Sequence, residues 1–291
     1  MNDFERKTLT HRIRQLQELP LPVKNLVAFR TLFKSGKIND REAAMAFDHG
    51  FVLFAQILRR IFLDDMLEDP NYVPNPAQAL DLLPADLICG IMQDLPVVDS
   101  LQDSEHEEWE HASSCRILME HLLRINDLNM PHLVAAARFH DIGHNVFRVL
   151  VPKRFGMIEE AARSESKGIA RHRMEESIIH MTHSEAGAIL LENWGFPESV
   201  WKPILYHHYE QVPPDYQFET AVLQFVDWID SKARERNIDD PMKFILAYAG
   251  LEDLDPKPWI KVQLRMARYN EMRIRTFREA EFALMKENHS S

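Results

Sequence analysis

The sequence predicts an all-α protein, and three observations support that class. The composition favours helices, because only 9 of 291 residues are glycine while Leu, Ala, Glu and Arg recur throughout. Apolar residues recur at helical spacing between capping and breaking signals along most of the chain. No segment shows the alternation of apolar and polar residues that a half-buried strand needs. A chain of this length forms one large or two modest domains.

The sequence of the N-terminal third of the chain predicts a series of helices that are separated by proline and glycine residues. Leu19-Pro20-Leu21-Pro22 ends the first helix, because proline removes a backbone donor and disfavours helix in the residue before it. Gly36 is a candidate stop, and Asp40 is a candidate cap for a following short helix. The expected helices cover residues 3–19, 23–36, 40–44, 50–67, 77–83 and 84–95, with a loop over 69–76.

Further along, residues 99–108 are acidic and predict a surface connector in which Ser104 caps the next helix. Pro131 opens a helix that should end at His140-Asp141, with Gly143 as the stop. Thr182-His183-Ser184-Glu185 has the pattern of a capping box, and Gly195 closes the helix that it starts. Residues 152–173 are basic and polar. The remaining expected helices cover residues 105–125, 131–141, 183–194, 198–209, 219–235 and 258–287.

The overall charge and the cysteines restrict the class of function. A net charge of −11 argues against general binding of nucleic acid or anionic membrane by the whole molecule. No apolar stretch is long enough to span a bilayer, and the polar segment 1–17 does not resemble a signal peptide. Cys89 and Cys115 are expected to be reduced core residues, which favours a cytoplasmic protein.

The adjacent His140 and Asp141 are the most informative pair in the chain. An imidazole and a carboxylate from neighbouring positions can bind one divalent metal, or the carboxylate can bridge two. Further candidate ligands precede and follow this pair on helix faces that are aimed at or beside a core. A shared metal would satisfy these otherwise costly buried polar groups together. The full candidate set is His111, His140, Asp141, His183, His207, His208 and Asp227.

Each candidate also has an ordinary structural explanation. A single histidine on an apolar face is usually a hydrogen-bonded core residue, and His183 would then only neighbour a helix cap. Asp227 could pair with Arg234, or Asp230, one turn further on, could replace it as the ligand. His144 could serve as ligand, proton donor or supporting partner, or lie on a surface loop. The coincidence of five inward-aimed positions favours a site.

Several segments match motifs of a single family. His140-Asp141-Ile142-Gly143 has the form of an HD signature, and the stretches 183–191 and 194–198 are the most specific matches. Weaker matches are Leu19-Pro20-Leu21-Pro22-Val23, residues 76–83, Trp109-Glu110-His111-Ala112-Ser113 and residues 204–208. Together these segments resemble the HDOD domains (HD-related output domains) of bacterial signalling proteins.

The resemblance implies an N-terminal helical subdomain packed on an HD-like helical subdomain. The expected division is a helix over 1–18, the first subdomain over 19–100, the HD-like subdomain over 101–235 and a helical extension over 236–291. The metal motif of the wider HD superfamily maps onto the same seven candidates. It implies a mononuclear or binuclear site for a divalent ion such as Fe, Mn, Zn, Ni or Mg.

The resemblance implies a regulatory protein first, because HDOD domains are generally non-catalytic. Such a protein would act as a free-standing module on a protein partner in a signalling pathway. The basic helix 258–287 would either contact that partner or pack on the core. No membrane association and no strong nucleic-acid signal are expected.

The alternative is a metal-dependent phosphohydrolase of the HD superfamily. Asp141 and His144 would be its catalytic residues, and basic residues in 152–173 could hold a phosphate-containing small molecule. Two departures from the related HD-GYP enzymes weigh against cyclic-dinucleotide hydrolysis: His144 replaces a common Lys, and no Gly-Tyr-Pro follows His207-His208. The long interval from Asp141 to His183 suggests an insertion that could cover the site.

Overall fold

The computed structural model describes residues 2–22, 50–98, 103–164, 171–209 and 211–235, and this part of the chain is α-helical apart from two very short strands. Several sequence-based predictions lie outside these residues: the helices 23–36, 40–44 and 258–287, and the extension 236–291. The Arg234 side chain also lies outside them. The helices are α1 (Asn2–Arg14), α2 (Phe51–Leu63), α3 (Pro76–Leu82), α4 (Ala85–Asp94), α5 (Asp103–Ile125), α6 (Pro131–Phe139), α7 (Ile142–Leu150), α8 (Pro152–Ser164), α9 (Arg171–Ile178), α10 (His183–Asn193), α11 (Glu198–Tyr206) and α12 (Gln217–Glu235).

The first helix is shorter than the sequence predicts. It ends at Arg14 rather than at residue 19, and the carbonyl of Leu16 accepts a hydrogen bond from the Trp194 indole at 2.9 Å. Pro20 has no backbone N–H to donate to this carbonyl, so the Trp194 indole satisfies a group that lies beyond the end of the helix. The proline-rich segment that follows forms β1 (Leu21–Pro22), which pairs in parallel with β2 (Val97–Val98). This two-residue ladder is the only strand pairing in the described residues, and the all-α class predicted from the sequence is confirmed.

Helix α2 joins the N-terminal helices to the rest of the core. Gly50 precedes it, and it ends at Leu63, shortly before Asp65, which has a φ of 52°. The ring centroids of Phe54 and Phe139 are 6.0 Å apart, so α2 packs on α6. The expected short helices α3 and α4 follow, and Asn75 forms a capping box at the start of α3.

Two sequence-based boundaries around the HD signature are wrong. Residues 103–108 belong to α5 rather than to a connector, so Ser104 is not the cap of that helix. Gly143 does not stop a helix, because α6 ends at Phe139 and Gly143 lies inside α7. The charged stretch that follows forms the helices α8 and α9.

Gly143 is needed for close packing of two helices. A Cβ atom at this position would lie 1.9 Å from the carbonyl oxygen of His183 and 2.9 Å from the amide nitrogen of Gly187. Gly187 faces it across the contact, where a Cβ would lie 3.2 Å from the Gly143 nitrogen. Only glycine lets the backbones of α7 and α10 approach this closely. The contact sets the distance between the HD signature and His183.

The capping signals of the next helices are confirmed. The Thr182 hydroxyl accepts from the Glu185 amide and the Glu185 carboxylate accepts from the Thr182 amide, which completes the capping box of α10. Gly195 ends that helix with a φ of 79°, a conformation that favours glycine. Pro197 precedes α11, which ends at Tyr206, so His207 and His208 lie in the turn after the helix.

Helix α1 packs on α10 and α7. Leu9 and Ile13 are buried in this contact region, and the Arg6 guanidinium donates to Glu185 Oε1 at 2.5 Å. Cys89 and Cys115 are free thiols, as expected. None of the helices in the described ranges combines the length and the apolar character required to cross a bilayer.

Candidate metal centre

The seven predicted ligands converge from separate parts of the fold. His111 comes from α5, His140 and Asp141 from the α6–α7 junction, and His183 from the first residue of α10. The pair His207-His208 follows α11, and Asp227 comes from α12. The side chains of His140 and His183 are 1% and 4% exposed, whereas Asp141 and Asp227 are 16% and 21% exposed. The cluster is therefore buried on one side and reached by solvent on the other.

One set of side chains, the first ligand group, consists of His111, His140 and Asp227. The Nε2 atoms of His111 and His140 are 3.0 Å apart, and His111 Nε2 is 3.1 Å from Asp227 Oδ1. Asp141 faces this group with Oδ2, which is 3.4 Å from His140 Nε2 and 3.8 Å from His111 Nε2. The potential ligand atoms of His111, His140 and Asp227 lie within 4.8 Å of one another, as a shared cation requires.

The second ligand group consists of His183, His207 and His208, whose nitrogens also lie within 4.8 Å of one another. The Nε2 atoms of His183 and His208 are 3.0 Å apart. Asp141 faces this group with its other oxygen, because Oδ1 is 3.2 Å from His183 Nε2. The Asp141 carboxylate thus lies between the two groups with one oxygen toward each.

Four of the five histidines have an oxygen atom beside Nδ1. Carbonyl oxygens and ionised carboxylates only accept hydrogen bonds, so Nδ1 carries a proton in all four rings. The same arrangement orients histidines that bind metals. The four contacts are His111 to Asp230 Oδ2 (2.6 Å), His140 to the Ala137 carbonyl (2.9 Å), His183 to Glu175 Oε2 (2.6 Å) and His207 to the Ile204 carbonyl (2.6 Å). In His111 and His183 the Nε2 atom also faces a carboxylate, at 3.1 and 3.2 Å, so a cation would displace a proton from that atom.

The donor set fits a divalent cation in each group. The Nε2 atoms of His111 and His140 face each other across 3.0 Å, and Asp227 Oδ1 is a third candidate donor atom, 3.1 Å from His111 Nε2. The Nε2 atom of His207 is buried and has no hydrogen-bond partner among the described residues. Unsatisfied buried nitrogens are unfavourable, and a cation would satisfy them. Histidine with carboxylate is the donor set expected for Zn, Fe, Mn or Ni.

The electrostatic environment leaves some candidate ligands neutral and others protonated. Burial disfavours the charged forms of His111 and His183, but neighbouring acidic groups raise the pKa of both rings, that of His183 to about 10, so a cation would displace a proton from each. Burial lowers the pKa of His207 and of His208 well below the usual value, and neighbouring histidines lower it further. Both rings are therefore neutral. Burial opposes ionisation of Asp141, but nearby His140 and His183 hold its pKa well below the usual value. Burial raises the pKa of Cys115 to about 12, so this residue near His111 is a neutral thiol.

Asp227 and Asp230 occupy different sides of His111. Asp227 faces its Nε2 atom inside the cluster, whereas Asp230 accepts from Nδ1 behind the ring. The structure thus places Asp227 in the ligand position and Asp230 in a supporting position.

His144, one of the two predicted catalytic residues, lies in α7 rather than on a surface loop. Its Nε2 atom is 3.0 Å from Glu175 Oε1, and its Nδ1 atom is 3.4 Å from Glu108 Oε1. Its ring centroid is 4.2 Å from that of His183, and the residue is 2% exposed. These contacts place it behind His183, so its role as a proton donor to substrate stays a prediction.

Two of the basic residues proposed as phosphate contacts, Arg154 and Arg171, are paired with carboxylates, as is Arg148, which precedes that stretch. Arg154 contacts Glu5 at 3.2 Å, and Arg171 contacts Glu108 at 2.9 Å. Arg148 bridges Glu108 and Glu159 at 2.8 and 2.9 Å. These ion pairs join α5, α7, α8 and α9 behind the second ligand group.

Sequence reasoning missed Glu175, which holds both His144 and His183. The residue lies beyond the basic stretch 152–173 and has no metal motif. Its only signal is that Ile178 and Ile179 follow it at helical spacing, which places it on an inward face of α9.

Comparison with known proteins identifies the domain. The model of the HDOD domain family matches residues 66–210. The chain belongs to the HDOD family. This HDOD match includes every candidate ligand except Asp227, which lies in α12 beyond it. A search of the curated proteins finds no significant match.

Solved structures share the HDOD fold of this chain. The MmoQ response regulator of Methylococcus capsulatus strain Bath superimposes with a TM-score of 0.65 at 16% identity, over 84% of this chain and 98% of that chain. A fragment of the same regulator gives 0.62 at 15% identity, over 82% and 94%. A protein of Shewanella amazonensis SB2B, provisionally named a phosphohydrolase, gives 0.50 at 17% identity, over 89% and 93%. At these identities the likeness concerns the fold.

Proposed function

We propose that this HDOD protein binds two divalent metal ions and hydrolyses a phosphoester. The position of Asp141 carries the proposal, because its Oδ1 atom faces His183 and its Oδ2 atom faces His140 and His111. A single carboxylate between two groups of imidazoles is the arrangement that a binuclear hydrolytic site requires. Each group has three candidate donor atoms among the described residues.

The protein's own residues have distinct parts in this function. His111, His140 and Asp227 would hold one ion, His183, His207 and His208 the other, and Asp141 both. When bound, such a pair of ions activates water as a nucleophile and neutralises charge on the phosphate. The partly exposed Asp141 and Asp227 leave the cluster open to a substrate. The similar fold of the provisionally named phosphohydrolase supports this substrate class.

A second candidate function is regulatory, and it rests on the likeness to a response regulator. In this case the ions would stabilise the HD-like part, and the output would be contact with a protein partner in a signalling pathway. The free cysteines favour a cytoplasmic location for either function. The catalytic function requires metal, whereas in the regulatory function a metal, where present, would serve structure.

The test combines metal analysis with hydrolysis. Stripped protein is dialysed against Mn²⁺, its metal content is measured, and it is assayed on phosphomonoesters, phosphodiesters and nucleotides. We expect about two ions per chain and turnover in the wild type. Asp141→Ala should lose bound metal and at least about 100-fold in rate, because both sites lose a ligand. The exposed Asp215, which has no contact with the cluster, provides the control Asp215→Ala.

The possible results separate the two functions. Metal binding without turnover on any substrate class would leave the regulatory function. Unchanged hydrolysis in Asp141→Ala, or a wild type that binds no metal, would refute the metal-dependent mechanism.

A further inference from the structure

We propose that Glu175 is the positioning residue of His183, and that α9 thereby controls metal occupancy of the second ligand group. The inference rests on the metal binding proposed above and names the helix on which one of the two sites depends. Helix α9 supplies none of the seven candidate ligands. Its influence on the site would act through contacts with them.

Glu175 is placed to fix both the ring and the backbone of His183. The carboxylate is fully buried, and its Oε2 atom accepts from His183 Nδ1 at 2.6 Å and from the His183 amide at 2.8 Å. Its other oxygen accepts from His144 Nε2 at 3.0 Å. The ring of His183 therefore cannot turn without breaking a charge-assisted hydrogen bond in a buried environment.

A second contact links α9 to the same ligand group. The ring of His172 stacks on that of His208, with centroids 4.7 Å apart and an interplanar angle of 16°. His172 and Glu175 both belong to α9, so this helix touches two of the three ligands in the second group. Movement of α9 would remove the anchor of one ligand and the packing partner of another.

The first ligand group lacks this dependence. Its supporting carboxylate, Asp230, accepts from His111 Nδ1 at 2.6 Å and lies on α12, which also carries the ligand Asp227. The supporting residue Asp230 and the candidate ligand Asp227 therefore move together on α12, although His111, whose ring Asp230 orients, lies on α5. In the second group the support comes from α9, and α9 packs mainly on α8. The two sites are thus built with unequal dependence on neighbouring structure.

The interval between Asp141 and His183 takes a role that the sequence did not suggest. The sequence suggested an insertion that could cover the site, and residues 165–170 of this interval lie outside the described residues. The C-terminal helix of the interval supports His183 from behind, and Arg148 and Arg171 tie this region to Glu108. A ligand or partner that shifts α9 would change the metal content of one site and leave the other occupied.

Equilibrium dialysis with Mn²⁺ can test the inference one site at a time. His111→Ala disables the first group and isolates the second, whereas His207→Ala isolates the first. Glu175→Gln keeps the size of the side chain and removes its charge. We expect it to weaken Mn²⁺ binding about 10- to 100-fold in the His111→Ala background and to leave binding unchanged in the His207→Ala background. Asp230→Asn should show the reverse dependence on background.

Two further variants separate positioning from general loss of structure. Glu108→Gln disturbs the same ion-pair cluster without contacting His183, so Mn²⁺ affinity of the second group should be retained. Glu175→Asp keeps the charge on a shorter side chain and should restore part of the affinity that Glu175→Gln loses. Circular dichroism and thermal unfolding establish that each variant is folded.

The outcomes distinguish this inference from the proposed function. Equal loss in both backgrounds, no loss in either, or failure of both Glu175 variants to fold would overturn the positioning role. A wild type that binds no Mn²⁺ would instead contradict the metal site itself.

Discussion

Replacement of Gly143 by alanine should force α7 away from α10. The new Cβ would lie 1.9 Å from the His183 carbonyl oxygen, whereas Cβ atoms essentially never come within 3.0 Å of another heavy atom. The two helices must therefore separate by about 1.1 Å at this point. The atoms that would clash with the new Cβ belong to the backbone of α10. Overpacking of a dense core costs about 1–3 kcal/mol, and backbone cannot turn away as a side chain can. We expect a loss of about 3 kcal/mol or more.

Gly156→Ala is the matched control, because the same substitution is made in another helix. Gly156 is exposed in α8, and a Cβ there has no atom within 4 Å. Alanine should stabilise that helix by about 0.5–1 kcal/mol, since it loses less backbone freedom than glycine on folding. Urea unfolding followed by circular dichroism measures both free energies of unfolding.

The two glycines should therefore respond in opposite directions. If Gly143→Ala unfolds at the same urea concentration as Gly156→Ala, the close approach of α7 and α10 is not the reason for glycine at this position. A folded Gly143→Ala protein should also bind less Mn²⁺, because Asp141 and His183 lie on opposite sides of the widened contact.

Two further predictions concern the contacts that hold α10. Arg6→Ala should destabilise the protein by about 1 kcal/mol, because the 11% exposed Glu185 loses its ion pair with Arg6 and keeps its contacts with Tyr209 and the Thr182 amide. Lys7→Ala should leave the thermal midpoint unchanged, since both members of the Lys7–Asp3 pair are over 75% exposed. Equal shifts would argue against docking of α1 through Arg6. Thr182→Ala should lower the free energy of unfolding by about 1 kcal/mol, because α10 loses its cap. Thr8→Ala should leave the free energy of unfolding unchanged, because Thr8 is an exposed residue within α1 and caps no helix. Urea unfolding of the pair checks this, and an unchanged Thr182→Ala protein would contradict the capping role.

Local signals predicted the helices well where they specify backbone geometry. The capping box at Thr182 and the left-handed Gly195 need only neighbouring residues, so both ends of α10 were predictable. Gly143 was misread because glycine serves equally as a helix stop and as a point of close approach. Choosing between these requires the position of α10, which is forty residues away in the chain and adjacent in space. The contact of Trp194 with the Leu16 carbonyl is likewise long-range, so no local pattern indicates it.

The convergence of the candidate ligands was predictable because their residue types are unusual on inward helix faces, and the family motifs add to that signal. Their supports were not, because glutamate in a charged stretch is ordinarily a solvated residue. Asp230 was noticed only because it lies one turn from Asp227, and Glu175 has no such neighbour. What makes Glu175 exceptional is its complete burial against His183 and His144, which no local pattern encodes.

The asymmetry between the two supports bears on how one fold could serve both regulation and catalysis. A site held by ligand-bearing helices alone stays formed whenever the core is folded. A site that depends on α9 can be lost when that helix shifts, while the core and the first ligand group remain intact. Hydrolysis that needs both ions would then stop while the protein stays folded. A signal acting on α8 or α9 would need to supply only the free energy of the contact between Glu175 and His183. The two candidate functions would then be two uses of the same contact, and Mn²⁺ occupancy of the second group is the quantity that would report on both.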